Sequence, residues 1–233
     1  MKTILISILL LTNFIFAGAL SLEGNLAGLN GSKIMEKTKN KTYKELISAL
    51  EIAPNGEYAF YLAIIYTNGM SEPDSVGDTV EKDKGKALLF FNKSIELGYY
   101  NAAQVLGSLY VYHEDFITES DNILKAERFL KLSIENGSYE GTTILADIYM
   151  NYLDKPQKGI DILIVGAENG ISGAQLMLAI IYNWGVNKDK NGFEVKQDKM
   201  LAQMLITKAC TNKNKTKKVI EFCSSKSIKK TNK

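Results

Sequence analysis

The 233-residue sequence predicts an all-α fold, a right-handed α/α solenoid of stacked helix-turn-helix repeats, and three observations predict it. A glycine that closes one apolar-periodic segment lies twelve residues before a tyrosine in the next, from Gly98 to Tyr110, Gly137 to Tyr149 and Gly170 to Tyr182. Leu62, Leu106, Leu145 and Leu178 stand four residues before Tyr66, Tyr110, Tyr149 and Tyr182, and the next position is always small: Ala63, Gly107, Ala146 and Ala179. A large residue, a small one and an aromatic three beyond it is helical spacing with one face built for close contact. Only three prolines interrupt the chain, and no apolar run alternates with the period of a strand.

Taken in order, residues 1–19 read as a secretory signal peptide. Met1-Lys2 is a positive start, Ile4 to Phe16 is mostly apolar, and Ala17-Gly18-Ala19 supplies an A-x-A cleavage site. A membrane anchor needs roughly 18 or more apolar residues, and this run is shorter and broken by Ser7, Thr12 and Asn13. No cysteine follows that would carry a lipid. The expected product is periplasmic or secreted, with no transmembrane anchor after cleavage. What remains is long enough for one well-buried core.

Residues 20–57 hold an N-terminal helix and a capping half-repeat, with a helix expected over 42–53. Repeats fill 58–211. Their second helices run from Lys86-Ala87 to Gly98, Lys125-Ala126 to Gly137 and Lys158-Gly159 to Gly170, thirteen residues each. The closing glycines suit a left-handed helix end. Successive equivalent tyrosines are 44, 39 and 33 residues apart, so the helices are constant and the loops vary, as a solenoid allows. Leu201-Ala202 and Lys208-Ala209 fit a last, degenerate second helix. Residues 212–233 form a basic capping helix, expected over 216–225, and a tail with eight lysines against Glu221 alone. Without the leader, the body before Asn212 carries about −6. An acidic body with a basic tail excludes the even basic surface of a nucleic-acid binder. The tail reads as a solvated cap, or as a contact for an anionic envelope polymer.

AAQVLGSLY with KALLFFNKSIELG, and GAQLMLAIIYNWGV with KGIDILIVGAENG, resemble the Sel-one-like repeats, relatives of the tetratricopeptide repeat, over roughly Tyr58 to Cys210. The chain departs from the family pattern where His113 and Tyr152 replace the glycine seen at Gly69 and Gly185. It departs again where Phe90, Phe129 and Ile162 stand for tryptophan. The resemblance implies a protein that holds another protein. The family also includes the Helicobacter cysteine-rich proteins, described as slow penicillin-hydrolysing or penicillin-binding, which implies a β-lactamase or peptidoglycan-fragment binder as the alternative. A neutraliser of a secreted toxin would look identical in sequence.

Few residues offer chemistry, and no cofactor is expected. Cys210 and Cys223 are the only cysteines, and an exported chain favours pairing them. His113 is the sole histidine and is expected in a solvated loop, so neither a Ser-His-Asp nor a Cys-His set has its parts. Ser120-Asp121-Asn122 and Ser227-Ile228-Lys229-Lys230 spell two β-lactamase motifs in reversed order, without the third. Asn187, Asp189, Asn191 and Asp198 approximate a calcium loop around Gly192, or form a polar insertion. The loop Met70 to Lys84 is acidic, with Glu72, Asp74, Asp78, Glu81 and Asp83. Tyr61, Gln104, Tyr112, Tyr152 and Trp184 are the candidates to grip a partner on the concave face or its loops, whereas Tyr66, Tyr110, Tyr149 and Tyr182 belong to the core.

Overall fold

A computed structural model describes residues 41–70, 77–113, 115–116, 120–189 and 191–231, with side chains to 225. The expected signal peptide 1–19 and the start of the capping segment lie outside the described residues. Ten α-helices and no strand occur among those described. They group into two compact units that meet in sequence at Ser138 and Tyr139. Stacked helix pairs bury their apolar surface locally.

The first unit opens with α1 (Tyr43–Ile52), fixed by a capping box. The Glu45 N–H donates to Thr42 Oγ1 at 3.2 Å, while Glu45 Oε2 accepts from the Thr42 N–H at 2.7 Å. α2 (Gly56–Asn68) starts at Asn55, whose Oδ1 accepts from the N–H groups of Glu57 and Tyr58. Nine consecutive residues of α2, Ala59 to Thr67, are buried, so this helix is enclosed on all sides. α3 (Lys84–Glu96) packs against it, and α4 (Asn101–Tyr112) pairs in the same way with α5 (Asn122–Glu135). The small position of the repeat explains how closely the second pair packs. A Cβ on Gly107 would lie 2.8 Å from Leu130 Cγ and 3.2 Å from the Ala126 carbonyl.

In the second unit, a 3-10 turn (Tyr139–Gly141) leads into α6 (Thr142–Asp147), which continues as a π-helical turn over Ile148–Tyr152. α7 (Pro156–Glu168), α8 (Ser172–Trp184) and α9 (Lys199–Thr211) follow, with α10 (Lys217–Thr231) as the terminal helix. α10 extends beyond the expected 216–225. Leu163, Leu176, Leu178, Ile206 and Ala209 form the core of this unit, and Val219 of α10 joins it.

Each repeat must satisfy the carbonyl of its tyrosine at a helix end, where no partner exists within the helix. The Asp83 N–H does so for Tyr66 at 2.8 Å and the Asp198 N–H for Tyr182 at 2.8 Å. The Lys155 N–H serves Tyr149 at 2.7 Å, and Asn122 Nδ2 serves Tyr110 at 2.9 Å. One bond at one repeat position thus ties the first helix of each pair to the start of the second across loops of different length.

The glycine departures have visible consequences. Gly69 and Gly185 adopt φ 71° and 68°, and the residue after each forms an isolated antiparallel bridge, Met70 with Val80 and Val186 with Val195. Where Tyr152 replaces glycine, the π turn brings the Leu153 N–H to the Ile148 carbonyl at 3.0 Å, and Asp154 takes the left-handed conformation (φ 48°) instead. Where His113 replaces it, the chain leaves extended and tucks Phe116 against Tyr110, ring centroids 5.8 Å apart.

Candidate binding surface

Two of the repeat tyrosines, Tyr66 and Tyr110, meet both a stacked ring and a lysine, and Tyr149 meets a lysine. Tyr66 stacks on Phe90 with centroids 5.6 Å apart, and Tyr110 on Phe129 at 6.0 Å. The lysine of each Lys-Ala or Lys-Gly step lies over its ring, Lys86 over Tyr66 at 5.1 Å, Lys125 over Tyr110 at 5.7 Å and Lys158 over Tyr149 at 6.0 Å. Tyr66, Tyr110 and Tyr149 are buried, and Tyr182 is half-buried.

The expected grip residues separate by environment. Tyr61 is 2% exposed, and its hydroxyl donates to Glu57 Oε1 at 2.8 Å. This corrects its assignment to a binding face: α2 is enclosed, so the ring fills the core. Burial, then the bond to Glu57 and its charge, hold the Tyr61 phenol well above its ordinary value. Gln104 and Tyr112 on α4 are half-buried. Tyr152 is 52% exposed at the end of the π turn. Burial first, and then the Asp147 carboxylate, raise the pKa of the Tyr152 phenol. Asp147 is itself buried and accepts a hydrogen bond from Asn151 Nδ2. Trp184, the last residue of α8, is 65% exposed.

The candidate chemistry resolves into structural roles. Sulfur bonding joins Cys210 and Cys223, with Cα atoms 5.8 Å apart, and ties α9 to α10. His113 is half-buried rather than solvated, its ring edge-on to Phe116 at 5.5 Å and its Nδ1 3.6 Å from Asp115. The inward path of the loop, which buries Phe116, carries the histidine with it. Asp189 Oδ1 accepts from the N–H groups of Asn191 and Phe193, and Asp198 Oδ1 caps α9 through the Leu201 N–H at 2.8 Å. Both carboxylates of the calcium-loop candidate, beside Asn187 and Asn191, therefore serve their own backbone. Among the described residues no group of three or more His, Cys, Asp or Glu is placed to hold a metal. In Ser120-Asp121-Asn122, Asp121 pairs with Lys125 at 3.2 Å and Asn122 closes on Tyr110. The side chains of the second motif, at Ser227 and beyond, lie outside the described residues, as do Glu72 and Asp74. Asp78 pairs with Lys44 at 2.9 Å, and Asp83 caps α3.

Sequence reasoning missed Asp147. Its repeat equivalents are Ile64, Ser108 and Ile180, so an acid in an otherwise apolar or small column was the available signal.

No family model and no curated protein matches the chain. Solved structures do. A Sel1 repeat protein from Oxalobacter formigenes is 22% identical with a TM-score of 0.56, the likeness covering 74% of this chain and 62% of that one. A protective antigen present in uropathogenic Escherichia coli strains, displaying an SLR fold, is 22% identical with a TM-score of 0.55, covering 72% of this chain and 32% of the other. An immunity protein from Pseudomonas aeruginosa superposes with a TM-score of 0.45 at 18% identity, over 73% of this chain and 57% of that one. The chain thus spans less than two thirds of the length of the structures it resembles. The first two likenesses establish its fold as that of the Sel1-like repeats.

Proposed function

We propose that this chain, built on the Sel1-like repeat fold, is an adaptor exported to the bacterial envelope, where it holds another protein without performing chemistry on it. The observation that carries this reading is the contrast between the rings and the reactive groups. Tyr152 and Trp184 stand outside the core at the ends of rigid repeat helices, while Asp189, Asp198, Asp121 and both cysteines are committed to the fold. Aromatic side chains on a rigid frame lose little conformational freedom on binding and dominate protein interfaces. The disulfide fits an oxidising compartment, and residues 1–19 supply the expected leader.

The test is affinity capture from an envelope extract with the oxidised chain and its Tyr152→Ser variant. One protein retained in stoichiometric amount by the first, and at least about tenfold less by the second, is the expected result. Retention of no protein in stoichiometric amount would overturn the adaptor reading.

A further inference from the structure

The second unit carries a surface that the adaptor reading uses only at Trp184. From Gly185 to Lys233 there are thirteen lysines against four acidic residues, although the whole chain has a net charge of only +2. Within this segment α9 turns Met200 and Met204 outward, 81% and 52% exposed, one helical turn apart. Lys208 follows one turn further along the same face. Lys196 and Lys199 are exposed at the start of α9, and Lys213 and Lys217 beyond its end. Gln197 Nε2 donates to the Asn183 carbonyl at 2.7 Å, which ties the approach to α9 to the end of α8, where Trp184 is exposed.

We propose that this surface is a peripheral membrane contact: Trp184, Met200 and Met204 enter the headgroup boundary of an anionic phospholipid bilayer, and the surrounding lysines meet its phosphates. The lysines alone would suit any polyanion. The methionines and the tryptophan decide between partners, because a hydrated polyanion gains nothing from them, whereas a bilayer boundary takes up long apolar and indole side chains. Charge attraction and shallow apolar insertion together give reversible binding where neither suffices alone. No helix among the described residues is long and apolar enough to cross a membrane. The inference shares Trp184 with the adaptor reading and rests otherwise on the face of α9, which that reading leaves unused.

Trp184 is the only tryptophan in the chain, which makes its emission a direct reporter of this surface. The full-length chain is mixed with sucrose-loaded vesicles of phosphatidylglycerol and phosphatidylcholine, or of phosphatidylcholine alone, and both fluorescence and co-sedimentation are recorded. A blue shift and co-sedimentation with the anionic vesicles, weakened by 0.5 M salt, are expected. The Met200→Ser/Met204→Ser variant, whose substituted positions are exposed, is expected to keep its helical circular dichroism and to bind about tenfold more weakly. Equal binding to both vesicle types, or anionic binding that the double variant leaves intact, would overturn the proposal; the latter result points to a polyanion contact through the lysines alone.

Discussion

Replacing Gly185 by alanine is expected to destabilise the second unit by about 3 kcal/mol. Gly185 closes α8 with φ 68° and ψ 174°, a region that only glycine enters freely, and an alanine held there is strained by about 1–3 kcal/mol. Its Cβ would also lie 2.9 Å from the Val195 carbonyl oxygen and 3.0 Å from the Gln197 nitrogen. Both are backbone atoms. They retreat only by pulling on the bridge bonds between Val186 and Val195, at 2.7 and 3.0 Å, which adds about 1–3 kcal/mol of overpacking. Reduced freedom of the unfolded chain returns about 0.4–1 kcal/mol. Gly170→Ala is the control in the same unit: its φ is 79°, yet nothing lies within 4 Å of the Cβ position, so the cost is about 1 kcal/mol. Trp184, next to the substitution, reports thermal unfolding locally. The midpoint is expected to fall by about 6–12 °C for Gly185→Ala and about 2–4 °C for Gly170→Ala. Equal shifts would refute the argument that backbone contact, beyond torsion, fixes glycine at this position.

Other outcomes follow from the same geometry. Cys210→Ser/Cys223→Ser opens a link of sequence separation 13 and is expected to lower stability by about 3 kcal/mol, seen as an earlier urea midpoint, with reduction of the native chain giving the same shift. Asp198→Ala leaves the start of α9 uncapped and is expected to cost about 1 kcal/mol in the same assay, with Asp198→Asn recovering most of it. The Asp83 carboxylate is held below its ordinary pKa, first by the Lys86 N–H, so its contribution is present above the ordinary carboxylate range and is lost as pH falls through the depressed value. Asp83→Asn, which still caps, should therefore show a shallower acid unfolding curve. Tyr61 has a raised pKa, so its contribution is complete below the ordinary phenol value and is lost as pH rises beyond it. Tyr61→Phe should flatten the alkaline loss of stability while costing about 1 kcal/mol at neutral pH for the bond to Glu57.

Much of the helical frame was legible because it rests on local chemistry. Glycines at 98, 137 and 170 follow their helices with φ 81°, 84° and 79°; α3 and α7 are thirteen residues long as expected but begin and end two residues earlier than the Lys86 to Gly98 and Lys158 to Gly170 spans, and α5 has fourteen. The disulfide followed from having two cysteines in a chain with a leader-like start. Exposure on the first helices was not legible. α2 is buried over nine consecutive residues, so its apolar pattern has no open side, and Tyr61 could not be told from a surface ring by spacing. The π turn was equally hidden, because a lost glycine does not say how the chain will reverse instead; here Asp154 two residues later supplies the left-handed step. The methionine face of α9 was hidden within the degenerate last repeat, where Leu201 replaces the lysine that covers the tyrosine in the three earlier units.

The most direct test of the adaptor account is nitrocefin hydrolysis measured on the same oxidised preparation that is used for capture from envelope extract. The account predicts a stoichiometric protein partner and no turnover above a heat-killed control. Saturable hydrolysis with no retained partner would contradict it and assign the repeat frame to an enzyme.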